Sequence, residues 1–244
     1  MNIIIEKNYE AMSKKAAEIF SEFIENKPDC ILGLATGGTP VEMYKNLIRM
    51  NKEGKVDFSK VNSINLDEYR GLSGDHDQSY RYFMNTNLFN NININKANTF
   101  VPNGLAKDIE EECKNYDERI EQIGGIDLQL LGIGNNGHIG FNEPAEFLNT
   151  KTHLTHLTED TIQSNARFFD KIEDVPTEAI TMGLGGIMKA KRIVLIASGE
   201  GKANIISKIL EGKITTDIPA TLLQVHPDVT IIVDEAAAKL IKQP

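Results

Sequence analysis

His138 and Glu143 stand five residues apart in LLGIGNNGHIGFNEP, Leu130 to Pro144. An imidazole and a carboxylate that close can pass protons to and from a bound molecule, provided something rigid aims them. The mostly Leu and Ile run Ile126–Ile133 supplies that rigidity, because it reads as a central parallel strand covered on both faces. Beyond it, Gly132, Gly134, Gly137 and Gly140 let the chain bend and approach a ligand closely. Gly132, Gly134 and Gly137 also satisfy the dinucleotide fingerprint G-x-G-x-x-G. That fingerprint requires a helix at its third glycine, whereas HIGFNEP brings another Gly and a Pro, so no nucleotide cofactor is expected.

Two further clusters end apolar runs. Thr36, Gly37, Gly38 and Thr39 precede Pro40 at the start of a helical pattern. Bare backbone, a hydroxyl and unpaired helix N–H groups make an anion site suited to phosphate, although the Gly-Lys-Ser/Thr ending of a P-loop is absent. NLDEY places Asp67 and Glu68 at another strand end, where a carboxylate can act as a general base. In isolation each cluster also fits an ordinary turn or surface acid; their weight comes from opening on one sheet edge. Arg167 in NARFFD and Lys202 after SGEG are cations that could complete the anion site, though each alone reads as a surface charge. His153 and His156 lie three apart in a strand-like HLTHLT and so face opposite ways, which argues against a metal pair; no metal is expected. His76 and His226 are assigned to the surface or to turns.

The elements that position these residues alternate. Strand-like runs fall at 3–6, 31–35, 61–66, 127–133, 192–198 and 229–234, and helical patterns at 13–26, 40–50, 109–123 and 202–210. Such alternation predicts an α/β fold, a Rossmann-like doubly wound and mostly parallel sheet with helices on both faces. The 244 residues are read as a single domain, with a flap or insertion over 152–171. A net charge of −9 disfavours nucleic acid and anionic membranes as partners. Cys30 and Cys113 suggest neither disulfide nor zinc site, and with no leader or spanning run they point to the cytoplasm.

TGGTP, NLDEY, GHIGFNEP, NARFF and SGEGKA, in this order, resemble the glucosamine-6-phosphate deaminases of the glucosamine/galactosamine-6-phosphate isomerase family. The resemblance runs from about Ile31 to Asp234 and implies a Rossmann-like sheet without nucleotide. It implies that Asp67 removes the C2 proton of an open-chain amino sugar phosphate, and that His138 assists ring opening with Asn136 and Glu143 as polar partners. It further implies that Gly38, Thr39, Arg167 and Lys202 hold the phosphate. The substrate is then a small sugar phosphate, with no redox cofactor and no metal; a monomer and a homo-oligomer stay open. A galactosamine 6-phosphate enzyme, a 6-phosphogluconolactonase and a sugar-phosphate sensor domain are the alternatives. Many relatives carry Asp where this chain has Asn136. Allosteric relatives carry basic residues after FNEP and a longer tail, where this chain has Glu146, His153, Thr155 and His156 and ends at Pro244, so no response to N-acetylglucosamine 6-phosphate is expected.

Overall fold

The computed structural model describes residues 1–166 and 169–241. Seven strands form one parallel sheet: β1 (Asn2–Glu6), β2 (Ile31–Leu34), β3 (Asn62–Asn65), β5 (Thr99–Phe100), β6 (Leu128–Leu131), β9 (Arg192–Ala197) and β10 (Val229–Asp234). Their spatial order is β1-β10-β9-β6-β2-β3-β5. The chain therefore steps outward from β2 to β3 and β5, then returns to the other side of β2 through β6, β9 and β10. The reversal lies between β2 and β6, and in doubly wound sheets the crevice beyond the strand ends at such a point is where ligands bind. The segments following these two strands are Thr36–Thr39 and Gly132–Glu143.

Each interior strand is buried along almost its whole length; β2, β6, β9 and β10 are mostly apolar, whereas β3 (NSIN) carries one apolar residue, Ile64. The helices α1 (Tyr9–Asn26), α2 (Val41–Lys52), α4 (Ile109–Gln122), α6 (Leu184–Met188) and α7 (Ala203–Lys208) connect them. In α1, Met12, Ala16, Ala17, Phe20 and Ile24 recur at helical spacing and are buried, while Asn8 caps the start by accepting from Ala11 N–H. The expected strands and helices are all present with ends shifted by a few residues. The expectation misses a second, antiparallel sheet of β4 (Asp67–Tyr69), β8 (Glu178–Thr181) and β7 (His153–His156), and the short helix α3 (Tyr80–Asn87). β4 follows β3 after a single residue, Leu66, so one continuous stretch of chain feeds two sheets. The segment expected as a flap carries β7 and the helix α5 (Glu159–Asn165).

At the opposite end of the large sheet, Asp127 joins two strands. Its Oδ2 accepts from Ile31 N–H at 2.8 Å and lies 3.2 Å from Lys27 Nζ, while Oδ1 accepts from Lys191 Nζ at 2.7 Å. Burial pushes this carboxyl up, but the two lysines and the N–H outweigh it and hold the group below the ordinary carboxylate value. A group held down in the folded state stabilises above its unfolded value and loses that contribution as pH falls through its folded value. Asp127→Ala should cost about 1–3 kcal/mol near neutrality, measured by urea unfolding. The gap to the parent chain should narrow as the pH is lowered below the ordinary Asp range; a constant gap down to pH 2 would contradict the assignment.

Candidate active site

Alternation along β4 separates the two acids of NLDEY. Asp67 and Tyr69 share one face and Glu68 takes the other. Glu68 is buried, and its carboxylate accepts from the N–H groups of Tyr69 (2.9 Å), Tyr80 (2.8 Å) and Arg81 (2.9 Å), anchoring the start of α3. It is a structural cap with no capacity left for substrate.

Asp67 has the opposite environment. Its carboxylate is buried, and among the described residues no N–H or hydroxyl donates to it. Burial, with the nearby Glu68 charge adding to it, pushes its carboxyl up to about 8. It pairs across the sheet with Thr181, whose hydroxyl accepts from Phe141 N–H at 3.0 Å. A Cβ placed on Gly140 would lie 3.9 Å from Asp67 Oδ2, so the GHIGFNEP loop runs directly past this carboxylate.

Within that loop, His138 Nδ1 lies 3.2 Å from Glu143 Oε2, and Asn136 Nδ2 donates to the same oxygen at 2.6 Å. Asn136 Oδ1 accepts from the His138 N–H at 3.1 Å. Residue 136 thus reaches the imidazole through Glu143 and the backbone, whereas direct contact with the ring was expected. The other carboxylate oxygen, Oε1, accepts from Thr161 Oγ1 at 2.5 Å and Thr158 Oγ1 at 3.4 Å, both from the start of α5. Burial alone would push Glu143 up; His138, Thr161 and Asn136 together hold it at about 2. With Glu143 ionised, Nδ1–H of His138 donates to it and Nε2 is left to exchange protons. Gly134 makes room for the ring: a Cβ there would fall 2.3 Å from Cε1 of the imidazole.

The anion loop is braced from below. Tyr9 Oη donates toward Gly38 O (3.1 Å) and Thr39 O (3.0 Å) and accepts from Glu42 N–H, and Gly37 takes φ of 90°. Those carbonyls point at α1, consistent with the loop N–H groups facing the crevice. Lys202 ends a short 3₁₀ turn, and its Nζ donates to Ile133 O and Asn135 Oδ1, both at 2.7 Å. It therefore stands at the β6 loop. Asp234, at the end of β10, fixes that turn by accepting from Ser198 Oγ, Gly199 N–H and Ala237 N–H. Arg167 lies outside the described residues.

Tyr9, Thr158, Thr161, Thr181 and Asp234 were not singled out from sequence. Asp234 had a readable mark, an acid at a strand end on the same sheet edge, and Thr158 begins a Thr-Glu-Asp helix start. The others depend on long-range contacts. His226, assigned to the surface or to a turn, lies in the bend before β10 but is buried there: its ring bridges Ala190 O at 2.7 Å and Asp228 N–H at 3.1 Å. His153 and His156 point to separate partners, Lys151 O and Glu178.

Residues 6–232 match the sequence family described as glucosamine-6-phosphate isomerases/6-phosphogluconolactonase. The chain belongs to this family. Glucosamine-6-phosphate deaminase of Clostridium perfringens (strain 13 / Type A) is 70% identical over 242 residues, covering 99% of this chain and 100% of the relative. That of Thermoanaerobacter pseudethanolicus is 62% identical, covering 99% and 95%. Among solved structures, a monomeric glucosamine-6-phosphate deaminase superposes with a TM-score of 0.96 at 46% identity, over 98% of this chain and all of the other. The 6-phosphogluconolactonase of Thermotoga maritima shares the fold at a TM-score of 0.74 and 20% identity, over 96% and 99%. The family thus spans chemistries that need different acid/base groups.

The raised Asp67 carboxyl has a cost that can be measured. Between the unfolded value near 4 and about 8 the folded chain retains a proton that the unfolded chain releases, so stability falls as pH rises through this window. Asp67→Asn cannot titrate. Its stability relative to the parent should increase steadily from pH 4 to pH 8 in urea unfolding, and a pH-independent difference would refute the buried, unpaired carboxyl.

Proposed function

We propose that the chain converts glucosamine 6-phosphate and water into fructose 6-phosphate and ammonia. The observation that carries this reading is the divergence of two carboxylates on one loop crevice. Glu143 is held ionised by convergent donors, and Asp67 is left without any, with a proton affinity suited to acid/base work near neutrality. An ester hydrolysis needs no carbon-acid base at Asp67; removal of a C–H proton beside a carbonyl does.

In this reading His138, oriented by Glu143, moves a proton to the ring oxygen and opens the sugar. The 2-ammonium group of the bound sugar, placed beside Asp67, favours the carboxylate form. Asp67 then takes the C2 proton of the open-chain aldehyde, giving an enolamine. Protonation at C1 yields an iminium at C2; water adds there and ammonia leaves, so the carbonyl ends at C2. Thr36, Gly37, Gly38 and Thr39, with Arg167 and Lys202, hold the phosphate, and the segment 152–171 acts as a flap over the sugar.

The decisive measurement is ammonia release on adding glucosamine 6-phosphate, with galactosamine 6-phosphate and 6-phosphogluconolactone as parallel substrates. Asp67→Asn should lower kcat roughly 10²–10⁴-fold and abolish exchange of the C2 proton with solvent deuterium. Retained exchange would move the base elsewhere.

Phosphate recognition makes a separate demand. Glucosamine should be a very poor substrate, inorganic phosphate should compete, and Lys202→Ala should raise KM roughly ten- to a hundredfold, the worth of one charge-assisted bond. Equal activity on the unphosphorylated sugar would exclude the anion loop as a binding element.

The stretch after FNEP offers an anionic effector one exposed lysine, Lys151, and little else. Glu146 is exposed, His153 Nδ1 meets Lys151 O, and His156 lies 3.6 Å from Glu178. An effector shifts a population only by binding one state better than another. Substrate saturation should be hyperbolic and unchanged by N-acetylglucosamine 6-phosphate; sigmoidal kinetics relieved by that compound would refute this.

A further inference from the structure

We infer that Thr161 is a positioning residue for the acid/base loop: its hydroxyl, carried on α5, holds Glu143 Oε1 so that Oε2 stays on the His138 imidazole. This rests on the proposed roles of His138 and Glu143. The geometry has three parts. Thr161 is buried, and its Oγ1 donates to Glu143 Oε1 at 2.5 Å. Thr158, the N-cap of α5, places its own Oγ1 3.1 Å from Thr161 Oγ1 and accepts from Thr161 N–H at 3.3 Å. The two hydroxyls therefore form a short chain that ends on the carboxylate.

A buried helical threonine commonly returns its hydroxyl to the carbonyl one turn earlier. Here the donor is spent on a residue eighteen positions away, so capping of α5 does not account for it. The far end of the same helix reaches the other carboxylate's strand, because Asn165 Nδ2 donates to Tyr69 Oη at 2.8 Å. Tyr69 packs on Phe141 and Tyr80 at centroid distances of 6.1 and 4.6 Å, and Phe141 lies 6.5 Å from the His138 ring. One seven-residue helix thus touches the supports of both Asp67 and His138. Misplacing a proton-transfer group by about 1 Å can cost about a hundredfold in rate, so seating α5 is a condition for the loop to work.

Thr161→Val removes the hydroxyl and keeps the shape; Thr161→Ser keeps the hydroxyl. In Thr161→Val the Glu143 carboxyl, followed by ¹³C NMR, should titrate clearly above its parent value, since a donor to the anion is gone. The acidic limb of the kcat profile should move upward with it, kcat should fall about ten- to a hundredfold, and KM should change little. Thr161→Ser should restore all of these. If Thr161→Val does not fold by circular dichroism, Thr161→Ala serves the same comparison. An unmoved carboxyl titration overturns the clamp. A moved titration with parent kcat and parent pH limb overturns the positioning role. A parent chain that releases no ammonia from glucosamine 6-phosphate refutes the proposed reaction, while the titration still decides the clamp.

Discussion

Burying an ionised carboxylate is costly unless donors replace the water it loses, and Glu143 is where this protein meets that demand most fully. Asn136 and His138 reach Oε2 and Thr161 reaches Oε1, with the Thr158 hydroxyl behind Thr161. They come from two segments that the chain makes independently, the loop after β6 and the start of α5. Each also has anchors of its own, Phe141 N–H on Thr181 Oγ1 in the loop and Asn165 Nδ2 on Tyr69 Oη in the helix, and the carboxylate ties the two together. The loop lacks regular structure, and α5 is too short to be stable alone. Satisfying one buried charge therefore fixes a loop, a helix and the tautomer of a histidine together.

The same physics, run in reverse, explains Asp67. Strand alternation gives Glu68 three backbone donors and gives Asp67 none among the described residues. One dipeptide thus yields a carboxyl anchored by backbone donors and a carboxyl without them, distinguished only by which face of a three-residue strand each occupies. A one-residue slip in the pairing of β4 with β8 would exchange the two roles. The register is set by burial of Tyr69 against Phe141 and Ala179 on the site side, so packing of an aromatic patch specifies the electrostatics of its neighbour.

The large sheet was legible in the sequence because its strands are apolar runs separated by amphipathic helices, and each boundary carries its own mark. The crevice was legible for a related reason: TGGTP and GHIGFNEP end the two strands that flank the reversal of strand order. The small sheet was not. β4 follows β3 without a turn signal, and the strand-like alternation of β7 does not reveal its partner β8, so local periodicity cannot announce the sheet. The burial of His226 within its bend was hidden for the same cause. Its burial follows from one carbonyl, Ala190 O, contributed 36 residues earlier.

This contrast separates two kinds of information in the site. The candidate groups Asp67, His138 and Thr36–Thr39 sit at or just beyond strand ends, where a short local sequence both forms the turn and presents the side chain. Groups that hold those groups in place, Tyr9 under the Thr36–Thr39 loop, Asp234 under the Lys202 turn and Thr161 against Glu143, act across 18 to 36 residues. Each spends a hydroxyl or carboxylate on a backbone or side chain already committed to position. Their energetic worth is modest singly, of order 1 kcal/mol for a neutral bond, yet proton transfer is steep in distance and angle. The role of a carboxylate at this sheet edge is therefore set less by the strand that carries it than by the donors that reach it: Glu143 receives them, and among the described residues Asp67 does not.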